Sequence, residues 1–484
     1  MDAAIVHDGE RSVVVPRKVV GAIIALCALL MILSMRHPLE WDEAVFVEMG
    51  KYLASHGEVG FFEVIRPPLL PTIIGGLWRL GFDPLIAGRL LAIAASVGAL
   101  LLVYRIGLRA FDVYTAAIAT ALCGSSSIFI EWSSYVMSDA PAMFLVVLSL
   151  YLLIEERPLL AGLVVGCAFL TRFVSLLVIV PYLIVELARP GQRVTRIARL
   201  LLPAGALACA FLLVNRLNHG SALLPITLGS RVAANDAIAA AHPSVWVYVE
   251  GLLKDNPLLF AALFAPIHLI AESRAVVRDH ALRARLAIAL TVSFVIAYFV
   301  AIAHREVRYL VIAIPMLALL SAWVLRRLAL RLFGERRAVF GVLICALLTS
   351  AQWATAHHRR ILSPAAPVAT TVFAQFLRDA KPTRPFWISS PVQILNTDLR
   401  ADLLIYFPTW NVERAITLRN QLPNQGTIFL NTCDVECTAH DSPCERATAA
   451  LLSDMNARFE RRMQHSDARK CEHVVFTSRH LDSL

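Results

Sequence analysis

The chain has 484 residues, 58% of them hydrophobic and only 17% charged, with a net charge of +9 and a mean hydropathy of +0.65. That composition excludes an ordinary soluble globular protein and fits a polytopic membrane protein with a soluble remainder. The basic excess is mostly arginine in clusters between apolar runs, which points to membrane topology rather than nucleic-acid binding.

The first apolar run begins near residue 19, after Arg17 and Lys18. No small-residue cleavage site follows it, so it reads as an uncleaved first helix. Almost directly after it stands WDEAVFVEMG, residues 41–50. Asp42 and Glu43 there form either an acidic first helical turn or a site that handles protons or cations. Trp41, Val45, Phe46, Met49, Tyr52 and Leu53 recur at helical spacing, which predicts a helix in the interface plane. After the turn at Arg66-Pro67-Pro68, LLPTIIGGLWRLGF is too short to span comfortably. Trp78 and Arg79 suit a second interfacial helix.

Further apolar runs begin near residues 85, 112, 138, 198, 256, 286, 309 and 338, and the stretch 159–188 is broken by Arg172. Short loops dense in arginine hold Arg105 and Arg109; Arg189, Arg193, Arg196 and Arg199; Arg274, Arg278, Arg283 and Arg285; and Arg326, Arg327, Arg331, Arg336 and Arg337. The positive-inside rule puts these in the cytoplasm and the segments 36–84, 131–137, 217–255 and 304–308 outside. Parity then requires 159–188 to cross an even number of times. Two short helices meeting near Thr171-Arg172 satisfy this, with their junction in a cavity rather than in lipid. The expected architecture is an all-α polytopic membrane domain over residues 1–356, with about eleven transmembrane helices. Its N-terminus is cytoplasmic and its outer face carries interfacial helices.

Residues 357–484 then form an extracytoplasmic tail. PFWISS (385–390), GTIFLN (426–431) and EHVVFT (472–477) read as strands and 445–460 as a helix, which predicts a small α/β domain. The tail has no glycine-rich phosphate loop and no catalytic triad signature. Cys27, Cys123, Cys167, Cys209 and Cys345 fall in apolar runs. Cys433, Cys437, Cys444 and Cys471 fall in the tail and read as two disulfides, with three pairings possible. The alternative is a metal site using Cys433, Cys437, His440 and Cys444, at looser spacing than such sites show.

Four polar clusters map to the predicted outer side: Asp42-Glu43; Arg66 with Pro67 and Pro68; Ser138-Asp139; and His304-Arg305-Glu306 with Arg308. Arg172, at the half-helix junction, makes a fifth. Each alone has a structural reading: first-turn acids, an N-cap, a solvated turn, a snorkelling arginine. Jointly they suit a substrate with a phosphate head and an apolar tail. Carboxylates can act as a general base, and arginines bind phosphate with two-pronged geometry.

WDEAVF, IRPPLLP, MSDAPAMFL, FLTRFVSLL and AHREVRYLVIAIP, in that order, resemble the GT-C fold glycosyltransferases, in particular the protein O-mannosyltransferase and aminoarabinose-transferase branch. The resemblance covers roughly residues 17–330. It implies a roll of transmembrane helices whose outer loops form the active site, and a polyprenyl- or dolichyl-phosphate sugar as donor. By this resemblance Asp42 matches the catalytic base that deprotonates an acceptor hydroxyl or amine, with inversion and departure of the lipid phosphate. Glu43 and Asp139 would position donor or acceptor sugar, and Arg66 would bind substrate. Arg172 stands where the family often has a lysine and would contact lipid phosphate. His304, Glu306 and Arg308 match a late outer-loop signature near that phosphate. Two features depart from the pattern. Ile65 replaces the acid that precedes Lys-Pro-Pro in the aminoarabinose branch, Glu63 being the nearest acid. The tail lacks the β-trefoil-sized insertion of eukaryotic protein mannosyltransferases.

The partners implied are the lipid-phosphate sugar, an acceptor that is a protein, lipid or glycan, and membrane lipids, with no nucleic acid. No cluster demands a metal, although paired acids leave a divalent cation open. The expected location is the plasma membrane, with the endoplasmic reticulum as alternative. A transporter or flippase of a lipid-linked or sugar substrate is the rival reading, with a receptor or scaffold as a third. Transporters place ionisable groups nearer mid-membrane and often repeat their halves.

Overall fold

The computed structural model describes residues 17–37, 39–233, 244–272, 279–302, 304–333, 368–405, 410–437, 441–466 and 470–479. The run expected from residue 338, with Cys345, and His440 lie outside them. The chain begins with helices α1 (Arg17–Ser34), α2 (Trp41–Ala54), α3 (Leu69–Arg79) and α4 (Pro84–Ala110). It continues with α5 (Val113–Gly124), α6 (Ser127–Trp132), α7 (Asp139–Ile154), α8 (Pro158–Thr171), α9 (Ile179–Ala188), α10 (Arg193–His219) and α11 (Leu224–Ala233). Starts are specified locally. Asp83 accepts from the Ile86 amide with Pro84 in the first turn, and Asp112 accepts from Tyr114 and Thr115. These are the N-cap and first-turn proline signals that satisfy or remove orphan amides.

One apolar core joins α1, α4, α5, α7 and the later helices His280–Ala301 and Ile314–Phe333, through residues such as Met31, Leu100, Leu122, Leu150, Ile288 and Leu319. Among the described residues, three helices are long and apolar enough to cross a bilayer: Pro84–Ala110, Arg193–His219 and His280–Ala301. The pair Trp246–Asp255 and Pro257–Ala271, bent by 118°, makes a fourth if it is one span. Shorter apolar helices, Lys18–Ser34, Val113–Gly124, Asp139–Ile154, Pro158–Thr171 and Phe173–Ala188, occupy other predicted spans, and Ile314–Phe333 occupies the run expected from residue 309. The helix breaks at Arg172: α8 ends at Thr171, and a 3-10 turn, Phe173–Val178, leads into α9.

Helix α10 turns Leu202, Leu213 and Leu217 outward, an apolar exterior that suits lipid. It rests on α8 at Gly162, where an added Cβ would lie 2.0 Å from the Leu200 carbonyl oxygen. Small residues permit such close helix approach in membranes. The basic loops gather at one end. Arg109 pairs with Glu155 at 2.7 Å, Arg196 with Glu186 at 2.6 Å, Arg189 with Glu156 and Arg326 with Asp112. The N-terminus of α7 and the C-terminus of α8 lie at the other end of those helices.

The tail forms a five-stranded sheet in the order β2-β1-β3-β5-β4. Its strands are β1 (Phe386–Ile388), β2 (Leu403–Leu404), β3 (Thr427–Asn431), β4 (Phe459–Ser466) and β5 (Glu472–Ser478). β1 pairs parallel to β2 and β3; β5 pairs antiparallel to β3 and β4. Alternation splits its two faces. Trp387, Ile428, Leu430 and Phe476 pack under Val412–Gln421 and Ser442–Arg458. Phe386, Ile388, Phe429 and Val475 pack against Val372, Phe373 and Phe376, together with Val45 and Met49 of α2. Strands β2 and β4 escape the sequence pattern, β2 because it has two residues and β4 because it is a polar edge, FERRMQHS. The disulfides are Cys433–Cys471 and Cys437–Cys444. This resolves the pairing and overturns the metal alternative, since sulfurs bonded to each other are not thiolate ligands.

Helix α2 forms where the sequence predicts it, and its apolar side is covered by protein. Its residues Glu43–Lys51 are all buried in protein, between the helical bundle and the sheet. The Lys51 ammonium donates to the carbonyls of Leu395 (2.7 Å) and Thr397 (3.0 Å) and to Glu48 (3.0 Å). Gly60 and Arg400 form a parallel bridge between the two regions.

Candidate active site

Successive residues of a helix point about 100° apart, so the two adjacent acids of α2 cannot share a direction. Glu43 turns inward. It is fully buried, takes both prongs of Arg89 (3.0 and 2.8 Å), and accepts from the amides of Val136 and Glu40. It thereby rivets α2 to α4 and to the loop before α7. Glu43, expected from sequence to bind substrate, has both oxygens committed within the protein and does not line the cavity described next.

Asp42 turns outward, into a cavity of about 710 Å³ between the helical region and the sheet, a size suited to a small-molecule site. One carboxylate oxygen accepts from Arg66 at 2.6 Å and the other from Arg308 at 2.8 Å. Each guanidinium has a second acid. Arg66 Nε donates to Glu63 at 2.8 Å, and Arg308 Nη2 to Glu306 at 3.1 Å. Glu63, three residues before Arg66, is buried beneath that arginine. His304 closes the chain on Glu306 at 2.5 Å.

Arg172 sits at the half-helix junction in extended backbone, pairing with Asp139 at 2.9 Å and with the Ser138 hydroxyl at 3.2 Å. Ser138 does not cap α7 with its side chain; it accepts from Arg172. The Tyr309 ring links the two halves, with the Arg172 guanidinium 5.0 Å and the Arg308 guanidinium 5.8 Å from its centroid, within cation–π range. Asp139 is buried behind Arg172 rather than on the cavity wall, so it acts on the site by holding that arginine.

Of the eight residues expected from sequence, Asp42, Arg66, Arg172, His304, Glu306 and Arg308 line the one cavity. Sequence reasoning missed Glu40, Trp132, Tyr309 and Asp434, which also line it. Tyr309 follows Arg308 directly and had a signal in its neighbour. Asp434 comes from the tail and had none. Among the described residues, no group of three or more His, Cys, Asp or Glu side chains is placed to hold a metal ion.

The electrostatics differ sharply around the wall. Burial opposes ionisation of Asp42, but Arg66 and Arg308 outweigh it and hold its pKa well below the usual carboxylate range. Burial likewise opposes ionisation of Glu306, yet His304 and Arg308 prevail and lower it. Glu63 and Glu40 go the other way, raised chiefly by burial, with Glu43 and Asp42 adding to the shift of Glu40. Asp434, whose carboxylate accepts from the Ser389 hydroxyl at 2.7 Å, is pushed up to about 7 by burial.

A sequence model of dolichyl-phosphate-mannose-protein mannosyltransferases matches residues 65–217, a stretch that includes Arg66, Asp139 and Arg172. No curated protein matches the chain. Among solved structures, ArnT from Cupriavidus metallidurans bound to undecaprenyl phosphate is similar at 14% identity and a TM-score of 0.63, covering 95% of this chain and 98% of that one. Archaeal oligosaccharyltransferase AglB from Archaeoglobus fulgidus, in complex with an inhibitory peptide and a dolichol-phosphate, is similar at 11% identity and a TM-score of 0.54, covering 96% and 75%. Arabinofuranosyltransferase AftD from Mycobacteria is similar at 13% identity and a TM-score of 0.54, covering 96% and 40%.

Proposed function

This chain has the fold of the GT-C glycosyltransferases, and from that premise we propose that it transfers a sugar from a polyprenyl- or dolichyl-phosphate donor to an acceptor hydroxyl or amine. The acceptor is a protein, a lipid or a glycan. The observation that carries this reading is Asp42 held between Arg66 and Arg308 on the wall of a cavity lined on one side by aromatic rings. A carboxylate beside two guanidinium groups brings a proton acceptor and a phosphate-binding fork within one site.

In the proposed reaction the acceptor oxygen or nitrogen attacks the anomeric carbon from the face opposite the phosphate. Asp42 takes the acceptor proton. The bond from the anomeric carbon to the phosphate oxygen breaks, the lipid phosphate leaves with a second negative charge, and the configuration inverts. Arg66, Arg308 and Arg172 meet the developing charge, which is the electrostatic role with the largest expected leverage on rate. Asp139 positions Arg172, and His304 and Glu306 position Arg308. A divalent cation, if one takes part, would have to displace an arginine from Asp42.

We further propose that the Arg-dense end faces the cytoplasm and the cavity and tail face outward, across the plasma membrane or an equivalent compartment boundary. Residues 1–356 would then be the transferase domain and 357–484 the extracytoplasmic domain. The test is Asp42→Asn in membranes supplied with polyprenyl-phosphate sugar. Transfer should fall by a factor of about 10² to 10⁴, the span expected of a lost general base, while the variant still inserts and folds. Full activity of the variant would remove Asp42 from the mechanism.

A further inference from the structure

The arginines that a donor phosphate would need are already engaged. Arg66 and Arg308 carry two positive charges against three carboxylates that touch them: Asp42, Glu63 and Glu306. Arg172 is paired with Asp139. As arranged, each of the three guanidinium groups is already matched by a carboxylate, so a donor phosphate meets no uncompensated cation. Asp42 is also poorly suited to take a proton, because each of its oxygens already accepts from a guanidinium. Both difficulties have one resolution.

We propose that Asp42 and the donor phosphate compete for the same two guanidinium groups, so that donor binding exchanges the partners of Arg66 and Arg308 and frees Asp42 to act as the base. This rests on the lipid-phosphate reading above and says how its site is switched on. A monoanionic phosphodiester replaces the carboxylate between the arginines. The displaced carboxylate stays in the cavity wall with weaker cationic contact, and its proton affinity rises. As the sugar leaves, the phosphate gains its second charge against guanidiniums already turned to it. Base strength is thereby coupled to donor occupancy.

The groups facing Asp42 are Arg66 and Glu63 from the loop before α3, and His304, Glu306 and Arg308 from the segment before Ile314–Phe333. Glu40 faces it from the start of α2. Asp139 acts at one remove, through Arg308 and Arg172. Asp434 lines the same cavity from the tail and, pushed up to about 7 by burial, titrates in the same range, so the test subtracts it.

The experiment is binding of a farnesyl methyl phosphate diester, a probe with no titrating proton near neutral pH, to the purified full chain in detergent. Asp42→Asn should bind it at least about tenfold more tightly than the unmodified protein, because two charge-assisted hydrogen bonds no longer have to be broken. Between pH 7 and pH 5 the affinity of the unmodified protein should rise more than that of the variant, because Asp42 released from the arginines in the complex takes up a proton that it does not bind in the free protein. The variant keeps Asp434 and the other ionisable groups of the cavity and lacks only the part of the dependence due to Asp42. Equal or weaker binding by Asp42→Asn, with the same pH dependence in both proteins, overturns the exchange. If the variant does not fold, Asp42→Ser, which also leaves no carboxylate between the two guanidinium groups, is measured in its place, and binding no tighter than that of the unmodified protein overturns the proposal. Absence of binding by either protein overturns the donor reading and the exchange with it.

Discussion

Two aspartates on the wall of one cavity are held in opposite surroundings. Asp42 lies between two arginines and is kept ionised. Asp434 lies under a hydroxyl and an amide, and burial raises its pKa to about 7. Such a difference is how one site can hold two carboxyl groups in different roles. It also makes a stability prediction. The folded pKa of Asp434 lies above the ordinary value near 3.9, so its contribution is full below that value and is lost as pH rises through about 7. The thermal midpoint of the sheet domain should therefore fall between pH 5 and pH 8. Asp434→Asn, which keeps an oxygen for Ser389, should flatten that fall and leave the variant the more stable at pH 8. Parallel curves for the two proteins would show that Asp434 is not the titrating group.

At the scale of elements, α2 does three things on three sides. Asp42 faces the cavity, Glu43 is locked to Arg89 of α4, and Val45 and Met49 lie under the sheet. The staple between the two regions is Lys51, a buried cation whose three donors are spent on Glu48 and two carbonyls of the tail. Burial pushes the Glu48 carboxyl up to about 8 even beside Lys51, so removing Lys51 strands buried acceptors rather than a full charge. Lys51→Ala should cost about 1–3 kcal/mol, and Glu48→Gln with Lys51→Met should recover part of the loss. Chemical denaturation read by tail fluorescence checks both, and additive losses in the double variant would argue against a shared pair. The break at Arg172 belongs to this scale too. The polar interruption at residue 172 was visible in the apolar run, and the tertiary fold uses it to aim a guanidinium at Tyr309 and Asp139.

At the scale of the whole molecule, a bundle with an apolar exterior carries a sheet domain over one end and arginine-rich ion-pair networks at the other. If the sheet end is outside, its four cysteines are oxidised and beyond the reducing cytosol. In intact cells a membrane-impermeant, mass-tagging maleimide should label the tail only after an impermeant reductant is added. Labelling without reductant, and only after the membrane is opened, would invert the assignment. Replacing Cys433 and Cys471 by serine should lower the unfolding free energy by about 2–4 kcal/mol, since a 38-residue separation is no longer closed in the unfolded chain.

Sequence by itself determined the class of molecule, the polar break at Arg172, the arginine-rich end, the α/β character of the tail and the existence of two disulfides. These follow from composition, hydrophobic period and the chemistry of cysteine in an oxidising space, all of which are local or summed along the chain. It also brought six of the cavity's charged residues to notice, because ionisable side chains are conspicuous beside apolar runs. Only the tertiary structure decided that Glu43 is a buried rivet while its neighbour Asp42 faces the cavity, since one residue of helical rotation separates the two directions. Only it decided which cysteines pair, that the tail covers α2, and that Asp434, almost four hundred residues from Asp42, stands on the same wall. Those are facts about distance between segments, and neither spacing nor composition along a chain encodes them.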